Sequence, residues 1–317
     1  MTTSGTTTLV RNRDQIILSA LRKVNAFESG ETPDDQSVED ASDALNALIK
    51  HWQASGIEIW TTEEAILFPV AGQYRYTIGD SSTDRVGANP VETTLASAAA
   101  ASASTVSLTS IVGVSSTFTI GVELDSGTVQ WTTINGAPSG TTVTLTTPLT
   151  GSASSGNFVI VYEETMVRPI RVIDGRRYNL SSQIEVPLAE MDRLEYMDYP
   201  NKTSTGSVNS FFYDRRGGPV DSAYIYLWPA PADASEAIKL TVSRPVRIFT
   251  AAGNTPDFPE EWIRAAEWGL ADELADEYDV PEPKRSRIER RAAQYLQEVN
   301  WFERELVAIE FVPDIGR

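Results

Sequence analysis

The chain has 317 residues, 41% of them hydrophobic, and a formal net charge of −18. That length exceeds one small core and suits roughly two domains of about 150 residues each. The acidic balance excludes electrostatic capture of nucleic acid and disfavours anionic membranes, and the absence of cysteine excludes disulfides, zinc–thiolate sites and thiol catalysis.

The Thr-rich stretch from Met1 to Val10 lacks the apolar stretch of a secretory signal. No run of about 18 apolar residues predicts a membrane helix, so the chain reads as made and kept in solution. A first helix is predicted over Asp14 to Phe27, with Ile17, Leu21 and Val24 on one face beside Ala20. Gly30 and Pro33 end it. A second starts at Ser37, whose hydroxyl is placed to cap the Asp40 N–H, and carries the stripe Ala41, Leu45, Leu48, Ile49 and Trp52. Gly56 stands where a left-handed residue closes a helix. These two helices read as an antiparallel hairpin. Ile66 to Val70 and Gln73 to Ile78 flank Ala71-Gly72 and read as a β-hairpin.

Between Arg85 and Arg168 the composition changes: there is no Lys or Arg, and Ser and Thr dominate. Five short segments alternate polar and apolar residues: Thr105 to Thr109, Thr117 to Ile120, Thr128 to Thr132, Thr141 to Thr146 and Phe158 to Tyr162. Strands at such spacing predict a small β-sandwich or barrel. Ala96 to Ala103 has no apolar face and reads as a linker into it. Beyond it, strands or turns continue through Asn179, Leu188 to Leu194 is a short helix candidate, and Phe211–Asp214, Ala223–Trp228 and Lys239–Ser243 are extended. Pro259 fits the first turn of a helix to about Tyr278, with Trp262, Ala266, Leu270, Leu274 and Tyr278 on one face. A last helix from Lys284 to about Leu306 aligns Ile288, Ala292, Tyr295, Val299 and Phe302, and an apolar, extended tail follows. The expected fold is α+β: a helical-bundle core with small β elements, made of residues 1–92 and 165–317, and an inserted all-β sandwich or barrel at 93–164.

Few residues offer chemistry. His51, the one histidine, has no second His or Cys with which to build a triad or zinc site. Asp272/Asp276 and Glu273/Glu277 pair carboxylates at four-residue spacing, as an acid–base hydrolase could use, but they fall beside or opposite the apolar stripe and read as a solvated face. The basic run Lys284, Arg285, Arg287, Arg290 and Arg291 has acidic neighbours to pair with. Gly175 and Gly217-Gly218 are turns with no Lys-Ser/Thr partner for a phosphate loop. Trp268 and Trp301 lie near the edges of their stripes and, with Phe302, are candidates for a subunit interface, where aromatics are enriched. Neither a metal nor a cofactor is expected.

Several segments together resemble the phage head-to-tail adaptor proteins, the podovirus-type tail accessory factors. They are Gln15 to Val24, Gly30-Glu-Thr-Pro33, Asp43 to Trp52, Gly56 to Trp60 and Phe68 to Tyr76 in the first half, then Phe212-Tyr-Asp214, Leu227 to Pro231, Pro259-Glu-Glu-Trp262 and Gly269-Leu-Ala271. The likeness covers most of the chain outside about 93–163. It implies a non-enzymatic virion protein at the head–tail junction, present in the host cytoplasm during assembly. It further implies a ring, typically dodecameric, below the portal protein. Such a ring joins head to tail or nozzle, helps retain packaged DNA and lines the ejection channel without sequence-specific DNA binding. The tail residues Phe311, Val312, Pro313, Asp314 and Ile315 are then the natural portal-binding candidates, and the β insert is expected on the outside of the ring. Two other readings compete: a glycan or cell-wall hydrolase using the carboxylates at 272, 273, 276 and 277, and a glycan-binding β-module exposing Trp131, Phe118, Phe158 or Tyr162.

Overall fold

Asn12 sets the first helix: its side chain accepts the Gln15 N–H while the Gln15 side chain reaches back to the Asn12 N–H, a reciprocal cap that satisfies two orphan donors. A computed structural model describes residues 8–302, apart from 28–30, 56–60, 81–83, 164–165, 181, 219–220 and 233–235. The helices are α1 (Arg13–Val24), α2 (Asp35–Ala54), α3 (Arg193–Asp198), α4 (Trp262–Glu277) and α5 (Lys284–Phe302). The strands begin with β1 (Thr62–Leu67), β2 (Arg75–Gly79), β3 (Val86–Thr94), β4 (Thr105–Ser107), β5 (Thr119–Glu123), β6 (Val129–Thr133), β7 (Thr142–Thr144) and β8 (Phe158–Glu163). They continue with β9 (Arg171–Asn179), β10 (Glu185–Pro187), β11 (Ala189–Glu190), β12 (Thr205–Gly206), β13 (Ser210–Asp214), β14 (Ser222–Trp228), β15 (Ala230–Pro231) and β16 (Glu236–Ser243). The chain divides into two compact units, one made of Met1–Thr61 with Val246–Arg317 and one of Thr62–Pro245.

The first unit is helical, and α4 packs against α1, α2 and α5. The expected stripes are its core: Ile17, Ala20, Leu21 and Val24 from α1, Ala41, Leu45, Leu48, Ile49 and Trp52 from α2, and Trp262, Ala266, Leu270 and Leu274 from α4 are all buried. Trp52 and Trp262 meet at 5.7 Å between ring centroids. Gly269 lets α2 and α4 approach closely, since a Cβ there would lie 2.9 Å from Trp52 Cζ2 and 3.0 Å from Leu48 Cδ2. The cap of α2 differs from expectation. Asp34, not Ser37, caps it, accepting the Ser37 N–H at 2.7 Å, and so the helix starts about a turn earlier. A carboxylate at this position also interacts favourably with the positive end of the helix dipole. Gly56 lies outside the described residues.

The second unit overturns the expected fold class. The β residues do not form a separate insert on a helical-bundle core. One antiparallel sheet of eight strands, ordered β10-β9-β16-β1-β3-β8-β5-β6, runs from the presumed core straight into the Ser/Thr-rich segment. The protein is β-rich, and its large sheet is shared. The joint is the pairing of β3 with β8, which aligns Val91 with Val161 and Thr94 with Phe158. The sequence reading assigns no strand to β3, which contains Pro90. The structure accommodates it at a bulge, where Asn89 takes a left-handed φ of 52° and the register shifts between Ala88 and Val91.

Both faces of this sheet are covered at its centre. Leu67, Leu240 and Val86 lie in one cluster and Ile120, Val159 and Val161 in another, while Ile66, Phe158, Ile160 and Tyr162 form a third. That is why β8, Phe-Val-Ile-Val-Tyr, is apolar throughout: five consecutive side chains are buried. Aromatic rings lie over glycine backbone on it. A Cβ at Gly87 would meet Tyr162 Cδ2 at 2.0 Å, and one at Gly121 would meet Trp131 Cζ3 at 2.6 Å.

The expected β-hairpin around Ala71-Gly72 is also corrected. β1 belongs to the eight-stranded sheet, and β2 to a four-stranded one ordered β11-β13-β14-β2. The intervening turn is held by Tyr76, whose hydroxyl donates toward the Gln73 and Val70 carbonyls and accepts the Val70 N–H at 3.0 Å. The other strands expected between 105 and 162 form, as do those at 211–214, 223–228 and 239–243. The segment at 96–103, expected as a linker, is irregular but part of the β unit, tied down by an exchange of backbone bonds between Ala99 and Ala153. The helix expected at 188–194 forms instead at 193–198, because Asp192 and Glu195 build a second capping box there.

Candidate functional site

An interaction surface needs groups left unsatisfied, and the sheet edges at β10, β6 and β2 leave few. On edge strand β10 the backbone bonds Asn179 N–H to Ile184 O and Leu188 N–H to Gly175 O fix which residues face β9. Alternation then turns Glu185 and Pro187 outward, and Pro187 has no N–H to give. At the opposite edge, the Thr133 carbonyl of β6 accepts the Thr146 N–H at 2.9 Å, and the Gln130 side chain binds Pro148 O and Thr150 N–H. On β2, Asp84 accepts the Thr77 N–H at 2.7 Å and Gln73 donates to the Arg75 carbonyl at 2.9 Å. Edges blunted this way resist strand addition by another chain.

The helical unit is different. In α5, Ile288, Ala292 and Val299 are buried and Tyr295 half-buried, as the stripe predicted. Trp268 is half-buried, its ring 6.3 Å from that of Tyr295 and 5.2 Å from Lys23 Nζ. Trp301, in the last turn of α5, is 70% exposed. Phe302 ends the helix, but its side chain, like Phe311, Val312, Pro313, Asp314 and Ile315, lies outside the described residues. Among the described residues, then, the structure does not bring the expected interface residues together: Trp268 is engaged inside the unit and Trp301 stands out from it.

The acidic run of α4 is also resolved into roles. Glu273, Asp276 and Glu277 are exposed, and Asp276 pairs with Arg285 of α5. Asp272 is half-buried; desolvation, then the charges of Glu289 and Glu273, raise its carboxyl above the usual range. His51 sits exposed on α2. Among the described residues no group of three or more His, Cys, Asp or Glu could hold a metal ion, and no described helix is long and apolar enough to cross a membrane. Of the aromatics considered for glycan binding, Phe158 and Tyr162 are buried, Phe118 packs on the core, and Trp131 lies against Phe68 at 4.3 Å between centroids.

One constellation was missed by the sequence reading. Glu267, buried on α4, accepts Arg11 Nη1 at 2.6 Å and Lys23 Nζ at 2.9 Å. It ties the segment before α1, and α1 itself, to α4. Desolvation lowers the Lys23 pKa, and the Glu267 bond partly offsets this. The signal was available: Glu267 stands four residues after Ile263, three before Leu270 and four before Ala271, inside the buried stripe rather than on the acidic face. A second miss is α3, where Leu194 is 75% exposed and Met197 53% exposed above a buried aromatic stack of Tyr196 and Phe212.

No curated protein matches the chain. The family model for the SU10 adaptor protein matches residues 128–306. The match takes in β6 to β8, so the likeness is not confined to the residues outside 93–163, and it continues through β16, α4 and α5. It spans more than half of the 317 residues, and with the resemblance already carried by Phe212-Tyr-Asp214, Leu227 to Pro231 and Pro259 to Trp262 it shows that the chain belongs to the SU10 adaptor family of phage adaptor proteins.

Proposed function

We propose that the protein is the connector at the head–tail junction of the virion: copies assemble as a ring, a dodecamer by the family likeness, beneath the portal protein and above the tail or nozzle. In this reading the ring helps retain packaged DNA and forms part of the ejection channel, with no catalytic step and no cofactor. Residues Phe311 to Ile315 engage the portal. Subunit contacts fall to the helical unit, at Trp301 first, with Trp268 and Phe302 as its companions. Family membership carries the proposal. Three further observations support it. The blunted sheet edges leave helical surface as the route of assembly. An indole exposed at 70% on a helix end suits burial by a neighbour. A charge of −18 keeps free subunits apart and lets a duplex pass without sticking.

The hydrolase reading has one observation in its favour, the raised Asp272 carboxyl. Partial burial, then the like charges of Glu289 and Glu273, account for that shift without any substrate. The connector reading is tested by mass photometry of the purified protein alone and mixed with its portal ring, using the full chain and a version ending at Ile309. A ring-on-ring complex with the full chain alone is the expected result. No association with either version would remove the proposal.

A further inference from the structure

A groove of about 730 Å³ runs along the outer side of α1, lined chiefly by Leu9, Val10, Arg11, Leu18, Arg22 and Lys23. Leu9 and Val10 are 53% and 68% exposed there, so the groove offers apolar side chains to water. Its charged lining is basic in a chain of net charge −18. Glu267 answers Arg11 and Lys23 together, one carboxylate for two cations, while Arg22 rests exposed over the Phe27 ring at 5.9 Å.

Where α5 ends decides what can reach this groove. Helices α4 and α5 run antiparallel. Arg285 at the start of α5 pairs with Asp276 near the end of α4, and Tyr295 further on lies by Trp268 and by Arg264, 5.9 Å from its guanidinium. Two further turns carry α5 to Trp301, at the end of α4 where Glu260 accepts the Leu9 N–H. The chain therefore leaves α5 at the end of the unit where Leu9 and Val10 lie open.

The next residues, 303–317, read Glu-Arg-Glu-Leu-Val-Ala-Ile-Glu-Phe-Val-Pro-Asp-Ile-Gly-Arg. Leu306, Val307, Ile309, Phe311, Val312 and Ile315 are apolar, and Glu303, Glu305, Glu310 and Asp314 outnumber Arg304 and Arg317. We propose that the groove along α1 is the seat of residues 303–317 of the same chain. Apolar side chains of the segment cover Leu9, Val10 and Leu18, and its carboxylates meet Arg22 and the outer side of the Arg11–Lys23 pair. Fifteen residues span about 50 Å when extended, more than enough to lie along a 12-residue helix. Tethering sets a millimolar effective concentration, so weak contacts suffice. The seat stands whether or not the segment later engages a portal.

The absence of cysteine makes the test direct. Ser19→Cys in the groove, paired with Ala308→Cys in the full chain, should form an intrachain disulfide at least about tenfold faster than Ala308→Cys paired with Val112→Cys, given a local concentration raised only at the seat. Val112 is 82% exposed and does not line the groove, so it serves as the exposed reference position. Adding Arg22→Glu, an exposed change that spares the core, should slow the groove bridge severalfold and make it insensitive to salt. Equal rates for the two pairs, bridges that form only between chains, or a groove bridge indifferent to Arg22→Glu would each overturn the proposal.

Discussion

Replacing Glu267 with alanine tests the charge clamp of the helical unit. The Glu267 and Lys23 side chains are 10% and 16% exposed, so their pair is nearly dry, whereas Arg11 at 38% can turn to water. Removing one partner of a buried pair costs about 3–5 kcal/mol, because the other charge stays buried alone. The Arg11 arm adds at most about 1 kcal/mol after screening. With some relaxation of Lys23 along its stem, a loss of about 3 kcal/mol is expected, or about 6–12 °C in Tm at the slope for units of this size. Tryptophan fluorescence in a urea titration reads it, since Trp52, Trp262 and Trp268 all lie in this unit. The double change Lys23→Met with Glu267→Leu should recover to within about 1 kcal/mol of the parent, because no charge is left behind. The pH dependence has a definite sign. Burial lowers the folded pKa of Lys23 below 10.5 and Glu267 partly offsets it. Without Glu267 the folded value drops further. The unfolded chain then binds more protons between that value and 10.5, so the variant gains stability as pH rises through this window. A loss below about 1 kcal/mol, or a double variant no better than the single, would refute the clamp.

Gly87→Ala should destabilise the β unit by about 3 kcal/mol or prevent folding, since the added methyl meets Tyr162 Cδ2 at 2.0 Å and the Glu163 carbonyl at 2.3 Å; pairing it with Tyr162→Ala should not rescue it, because the backbone clash remains. Asp272→Asn should raise stability at neutral pH, and the parent should gain stability as pH falls through the raised Asp272 value toward the ordinary one near 3.8, where the folded state holds the extra proton; equilibrium denaturation at several pH values checks both. Trp301→Ser should leave monomer stability within about 0.5 kcal/mol, as expected of an exposed site, yet weaken ring assembly by about thirtyfold, the loss of an interfacial aromatic anchor. Sedimentation of variant and parent with portal present would read that difference.

The helical stripes were legible because every turn of α1, α2 and α4 repeats the same demand, an apolar side chain toward one core. Local strands were legible too, since Thr-Val-Thr alternation needs no partner to be seen. Their pairing was not. Nothing in the Ser/Thr composition of residues 105–162 says that Val91 will face Val161, and β3, with Pro90 at its bulge, had no counterpart among the expected strands. The abrupt loss of Lys and Arg marked a change of surface, and it was read as a boundary between folds. Asp34, one turn before Ser37, is the cap, a choice that periodicity does not register. Glu267 shows the same limit at the candidate site: it is not among the carboxylates that the sequence reading singles out, although its spacing from Ile263 and Leu270 places it in the core. The family resemblance survived these errors, since it rested on residue patterns and not on the expected fold.

The measurement that bears most directly on the account is an electron cryo-microscopy reconstruction of the virion neck into which the two units, Met1–Thr61 with Val246–Arg317 and Thr62–Pro245, are fitted separately. The connector proposal expects a closed ring of this chain directly beneath the portal, with density for residues 311–315 at the portal and Trp301 buried against a neighbouring subunit. Density for the chain on a fibre, inside the capsid or nowhere in the neck would contradict it.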